Sequence, residues 1–160
     1  MFLWFIATAI LTVWFVFRDP GFDYRLLIVG SVLPLADGVT GGAAVLHTLA
    51  FSLVLLGAVV LVTVGRRPAR KLLLGLPIGT LLHLVFDGAW ADSDLFWWPL
   101  GGWGFDDAVL PEVGRSWWSV ALDLVGAAIL AWVWRASALS DRAARHRFWR
   151  DGRLFSAQPS

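Results

Sequence analysis

Apolar residues gather into five stretches, 1–17, 26–36, 43–64, 72–86 and 117–134, and polar residues fill the gaps between them. Of the 13 basic and 12 acidic residues, only Asp123 falls inside a stretch. Such runs predict helices that cross a bilayer. At ~1.5 Å per residue, 43–64 and 72–90 are long enough for a hydrocarbon core of ~30 Å, and 117–134 is marginally so. The first stretch lacks the basic start and the small-residue cleavage site of a signal peptide, so it reads as a retained helix. The short 26–36 contains Pro34 and fits either a re-entrant piece or part of a span over 22–40.

Basic residues give the expected orientation. Arg66, Arg67, Arg70 and Lys71 mark one loop as cytoplasmic, and six arginines follow Trp134. A crossing at 22–40 brings Arg18 and Arg25 to the same side, leaving Arg115 as the one basic residue outside. The expected fold is therefore all-α, a polytopic transmembrane bundle of about five spans. Four are long helices and the fifth is a shorter one containing proline. The N-terminus is expected outside and the C-terminus in the cytoplasm. Residues 1–134 form one membrane domain, 135–160 a basic cytoplasmic tail, and 91–116 an irregular outer loop. Tryptophans agree with this. Trp90, Trp97, Trp98, Trp103, Trp117 and Trp118 lie near the outer ends, and Trp14, Trp132 and Trp134 near the inner ones.

Composition narrows the class. The hydrophobic fraction is 58% and the charged fraction 16%, which excludes an ordinary soluble enzyme and a disordered chain. Without cysteine, thiolate chemistry and cysteine metal sites are excluded. The excess of arginine over lysine points to a GC-rich bacterial genome, and so to a bacterial inner membrane.

Ionisable groups inside spans cost about 2.5–3.5 kcal/mol on insertion scales and mark function by default. Five occur: Asp37, His47, His83, Asp87 and Asp123. In the expected topology all lie in the outer half of the membrane, on four helices. His83 and Asp87, at i and i+4, continue the small-residue stripe Gly75–Gly79 and should face the bundle interior. Two imidazoles and two carboxylates suit a divalent cation, zinc foremost, with manganese or iron as alternatives. Such an ion brings the pKa of its bound water near neutrality. Each residue also has a structural reading: turn residues for Asp37 and Asp87, and interhelical hydrogen bonding for His47, His83 and Asp123.

Three blocks resemble the membrane-bound metal-dependent hydrolases, also described as LexA-binding inner-membrane hydrolases. Leu33-Pro34-Leu35-Ala36-Asp37 is similar to the family's Leu-Pro-Asp-x-Asp. Leu46-His47-Thr48-Leu49 is similar to its Thr-His-Ser-Leu. Leu82-His83 through Asp87, with Leu95-Phe96-Trp97-Trp98-Pro99-Leu100, is similar to its Ser-His-x-x-x-Asp block and the aromatic-Pro segment after it. The resemblance covers about residues 30–100 and implies Asp37, His47, His83 and Asp87 as metal ligands or catalytic residues. Two features depart from it. Leu35 replaces an Asp, and Gly41, Gly42 and Ala43 stand where a His-Arg pair is usual. That implies one metal instead of two, or a protein without hydrolytic activity.

The expected activity is hydrolysis of an ester or phosphoester, with a lipid-linked substrate suggested by the depth of the site. His83 and Asp123 are the candidate catalytic residues. Outer-loop carboxylates (Asp92, Asp94, Asp106, Asp107, Glu112) are further candidates for base or support. The alternative is a non-catalytic partner subunit or scaffold with a structural polar or metal cluster. A transporter fits less well, because no polar path crosses the inner half. The tail reads first as a solvated positive-inside anchor. Its partners are expected to be membrane lipids, with anionic headgroups at the arginines, rather than nucleic acid.

Overall fold

The computed structural model describes residues 1–40, 44–100, 102 and 117–155. It is helical throughout, with no strand among the described residues. Helix α1 is Phe2–Phe17 and α2 is Tyr24–Val32, which runs on into 3-10 turns over Leu33–Thr40. A short 3-10 turn, Val45–His47, precedes α3, Leu49–Val62. Helices α4, Arg67–Leu73, and α5, Gly75–Asp87, join end to end as one rod of 21 residues. A 3-10 turn at Ala89–Ala91 and the single-turn α6, Ser93–Phe96, follow. Helix α7 is Trp117–Ala136 and α8 is Arg142–Asp151.

The all-α architecture agrees with the sequence reading, but the count of about five spans does not. Among the described residues, only two helices are long and apolar enough to cross a membrane, Arg67–Asp87 and Trp117–Ala136. The reason lies in where helices start and stop inside apolar runs. Helix α1 has 16 residues, a rise of about 24 Å. Helix α2 ends after nine residues, where the chain tightens into 3-10 turns at Leu33-Pro34. The run 43–64 is broken at its start. Thr48 is extended there, and its hydroxyl caps α3 by accepting from Phe51 N at 3.1 Å. That leaves α3 with 14 residues, about 21 Å. Hydropathy alone registers none of these breaks.

Helices α2 and α5 form the tightest pair. A Cβ on Gly79 would sit 2.6 Å from Ser31 N and 2.8 Å from Gly30 C, and one on Gly30 would run into Leu76 O. The two glycines therefore let the backbones meet, as small residues do between membrane helices. Helix α1 lies across this pair and against α7. Gly126 of α7 sits directly beneath the first turn of α1, where a Cβ would meet Trp4 N at 2.5 Å.

Contacts at the helix ends set direction. Trp4 Nε1 donates to Phe86 O at 3.4 Å, and Leu3 N donates to Asp123 Oδ1 at 2.9 Å. The end of α5 and the start of α7 thus meet at the start of α1, so the two long helices run in opposite directions. Arg67 and Ala136 both belong to the far end. There the chain doubles back, and Leu154 and Phe155 are buried in the core with Ile10, Val13, Leu27 and Val133. Phe155 stacks on Trp14 at 4.4 Å between centroids. Tyr24 N donates to Gly152 O at 2.9 Å, and Arg25 Nη1 to Trp149 O at 2.8 Å. Residues 139–155 are therefore packed on α1 and α2. Ala157–Ser160 lie outside the described residues.

Candidate metal centre

The end of the bundle away from the arginines collects buried polar side chains. Asp37 sits in the 3-10 segment after α2 and is buried. Its Oδ2 accepts from Ala44 N at 3.0 Å and His47 N at 3.2 Å, tying down the turn that carries His47. The same oxygen lies 2.9 Å from His47 Nδ1. That oxygen accepts from both backbone N–H groups and accepts from Nδ1 in the same way, so a neutral His47 ring has its lone pair at Nε2.

His83 is fixed in the same sense. Its Nδ1 is 2.7 Å from Ser31 O, a carbonyl that can only accept. Its Nε2 is therefore also a lone pair. Phe5 of α1 covers the ring at 3.9 Å between centroids. The two imidazoles meet edge to face, 5.3 Å apart and at 76°. Neither Nε2 has a hydrogen-bond partner, although both are buried.

Asp87 completes the group. It is the last residue of α5, one turn beyond His83, and its Oδ2 lies 4.0 Å from His47 Nε2. One ligand atom from each of His47, His83 and Asp87 lies within 4.8 Å of the others, and all three residues are buried. Two lone pairs and a carboxylate thus face one point with no donor reaching either nitrogen. Left so, each buried and unpartnered Nε2 costs about 1–3 kcal/mol.

A divalent cation fits this donor set. Zinc bonds to nitrogen and oxygen at about 2.0–2.2 Å, so its tetrahedral ligands stand about 3.3–3.6 Å apart. The His47–Asp87 pair at 4.0 Å would close by about half an ångström, and the widest separation, within 4.8 Å, by a little over one. Behind both histidines stands an acceptor, Asp37 for His47 and Ser31 O for His83, as is usual behind an imidazole that binds a metal.

No protein-family model, curated protein or solved structure matches the chain. The site is thus read from its own geometry. Of the five ionisable candidates, His47, His83 and Asp87 converge. Asp37 lies on the far, Nδ1 side of His47. Asp123 is elsewhere, accepting from Leu3 N at 2.9 Å and Trp4 N at 3.1 Å. These are the second and third residues of α1, the donors an N-cap would serve, and Met1 supplies no side-chain cap. Asp92 caps α6 by accepting from Leu95 N at 3.2 Å, and Asp94 is exposed. Asp106, Asp107 and Glu112 lie outside the described residues.

Two participants escaped the sequence reading. Ser31 acts through its main-chain carbonyl, which has no side-chain signature. Phe5 sits in an apolar run where nothing distinguishes it from its neighbours. A buried hydroxyl pair, Ser52 Oγ to Thr80 Oγ1 at 3.2 Å, extends the polar strip one turn below His83 and joins α3 to α5.

Proposed function

We propose that this protein is a membrane-embedded, metal-dependent hydrolase whose His47, His83 and Asp87 hold one divalent cation. Zinc suits two imidazoles and a carboxylate best, with manganese or iron next. The observation that carries the reading is the pair of buried, unpartnered Nε2 atoms turned toward the Asp87 carboxylate. A proton between His47 and Asp87 would still leave Nε2 of His83 unpartnered, whereas a metal ion engages both nitrogens. Three protein ligands with a further position left open is the arrangement of catalytic zinc. When bound, such an ion supplies Lewis acidity and brings the pKa of its water near 7. The protein's own part is positioning. Asp37 keeps the proton on Nδ1 of His47, Ser31 O does so for His83, and Phe5 shields the ring from solvent. The substrate class in this reading is an ester or phosphoester, lipid-linked given the helices around the site.

The resemblance of three short blocks to membrane-bound hydrolases supports the same reading. So does the placement of the site, about 30 Å along the Arg67–Asp87 rod from its basic end. The positive-inside tendency then puts the basic end in the cytoplasm and the metal toward the outer face of a bacterial inner membrane. One observation favours a structural metal instead. His47, His83 and Asp87 are each at most 1% exposed, and closed sites are the structural ones.

Elemental analysis of protein purified in detergent tests the metal, and a chromogenic phosphoester and ester panel in micelles tests turnover. One equivalent of metal, absent from His83→Ala, is expected. Protein that binds no metal when zinc, manganese or iron is supplied would overturn the site. Metal-loaded protein inert toward the whole panel would leave the structural reading in its place.

A further inference from the structure

The arginines of α8 remain unused by the site at the other end. This helix is amphipathic in place. Ala144 is buried, Phe148 packs on the core, and Leu154 and Phe155 follow into it. Its apolar face is therefore spent on the bundle and is not available to insert into lipid. What it turns outward is basic. Arg142, His146, Arg147 and Arg150 line an open groove of about 710 Å³, with Asp141 at its edge. On the other side of Arg147 a second groove, about 410 Å³, is lined by Arg153, Pro20, Gly21 and Phe155.

Not all these cations are equally available. Arg150 forks onto Asp151 at 2.9 and 3.0 Å, which holds that carboxyl below the usual range and leaves the pair neutral. Arg145 donates to Leu139 O and Ser140 O. Among the described residues Arg142 and Arg147 make no ion pair, and Arg147 Nε is buried without a hydrogen-bond partner. Two guanidiniums five residues apart thus flank one groove, and the second also borders the next.

Position supplies the occupant. Five residues separate α8 from α7, one of the two helices able to cross a membrane. Trp132 and Trp134, near the end of α7, and Trp149 on α8 are all exposed, where indoles seek the headgroup layer. We infer that the basic grooves along α8, bordered by Arg142 and Arg147, bind the phosphate of anionic phospholipids. This rests on the membrane reading of α7 and is independent of the metal. A guanidinium matches a phosphodiester in charge and in its paired donors, and each arginine near an anionic surface contributes about fivefold in affinity.

The test uses the full chain in a zwitterionic detergent, titrated with phosphatidylglycerol, phosphatidylcholine and inorganic phosphate, and reads bound lipid by native mass spectrometry. Phosphatidylglycerol should be retained and the other two should not. Arg142→Gln with Arg147→Gln should weaken retention about 25-fold, while the matched Lys variants keep most of it. Lipid-free unfolding temperatures should be equal. Should the double variant fold poorly, the exposed Arg142→Gln alone still predicts about fivefold. Equal retention of phosphatidylcholine, or full retention by the Gln variant, overturns the inference. So does tighter binding of a single-stranded oligonucleotide that the same variant abolishes, which would make α8 a nucleic-acid arm.

Discussion

Replacing Asp37 by Asn separates a carboxylate that orients a ligand from one that is itself a ligand. Asp37 Oδ2 takes three hydrogen bonds, from Ala44 N, His47 N and His47 Nδ1, at 3.0, 3.2 and 2.9 Å. An asparagine oxygen in the same place can still accept from them, so the turn should hold. What is lost is the negative charge behind the imidazole, which raises its basicity toward a metal. Substitutions of this kind cost about 10- to 100-fold in affinity, or about 1.4–2.7 kcal/mol. The effect is readable as stability. At free metal about 100 times the wild-type Kd, binding stabilises the fold by about 2.7 kcal/mol. A variant about 30-fold weaker gains only about 0.9 kcal/mol at that concentration. For a chain of this size the metal-induced rise in Tm should be about 5–11 °C in the wild type and about 2–4 °C in Asp37→Asn. Comparing each protein with and without chelator cancels any change in the apo form, and a competing chromophoric chelator gives the affinities directly. Metal lost as completely as in His83→Ala would show Asp37 to be a ligand. Unchanged affinity would show that the 2.9 Å contact does not couple to the site.

Two further outcomes test the frame around the site. Gly79→Val should lie at the upper end of the about 1–3 kcal/mol typical of overpacking, because the obstacle is backbone of α2. Gly57→Ala in α3, where nothing lies within 4 Å, should gain about 0.5–1 kcal/mol. Thermal unfolding followed by circular dichroism in detergent checks both, and a Gly79→Val protein as stable as wild type would disprove the α2–α5 contact. Asp123→Ala should cost about 1–2 kcal/mol and Asp123→Asn much less, since asparagine also caps. Metal content should be unchanged in both. Equal, total loss of hydrolysis in the two variants at full metal would instead make Asp123 a catalytic group.

The site was more legible than the bundle. His83 and Asp87 share a face because they are four residues apart on one helix, and the Gly75–Gly79 stripe pointed that face inward. His47 came into view because an imidazole in an apolar run is costly and therefore conspicuous. The role of Asp37 was not legible in the same way. Whether a carboxylate meets Nδ1 or Nε2 of a histidine ten residues away depends on the path of the turn between them. Asp123 was conspicuous for the same reason as His47, yet its partners are the N–H groups of Leu3 and Trp4, 120 and 119 residues distant.

Composition and local spacing are enough for the helical class, the gathering of charge outside the apolar runs, and a set of candidate ligands, Asp37, His47, His83 and Asp87, that contains the converging three. Burial energy and the 3.6-residue turn translate both directly into faces. Tertiary structure decided the rest. It set helix lengths, because caps at Thr48 and turns at Leu33-Pro34 interrupt apolar runs that hydropathy reads as continuous. It chose which three side chains converge, because glycine contacts between α2 and α5 bring Ser31 O to His83. It also folded the arginine-rich tail onto the core, because Phe155 finds Trp14 and Tyr24 only once α1 and α2 are side by side.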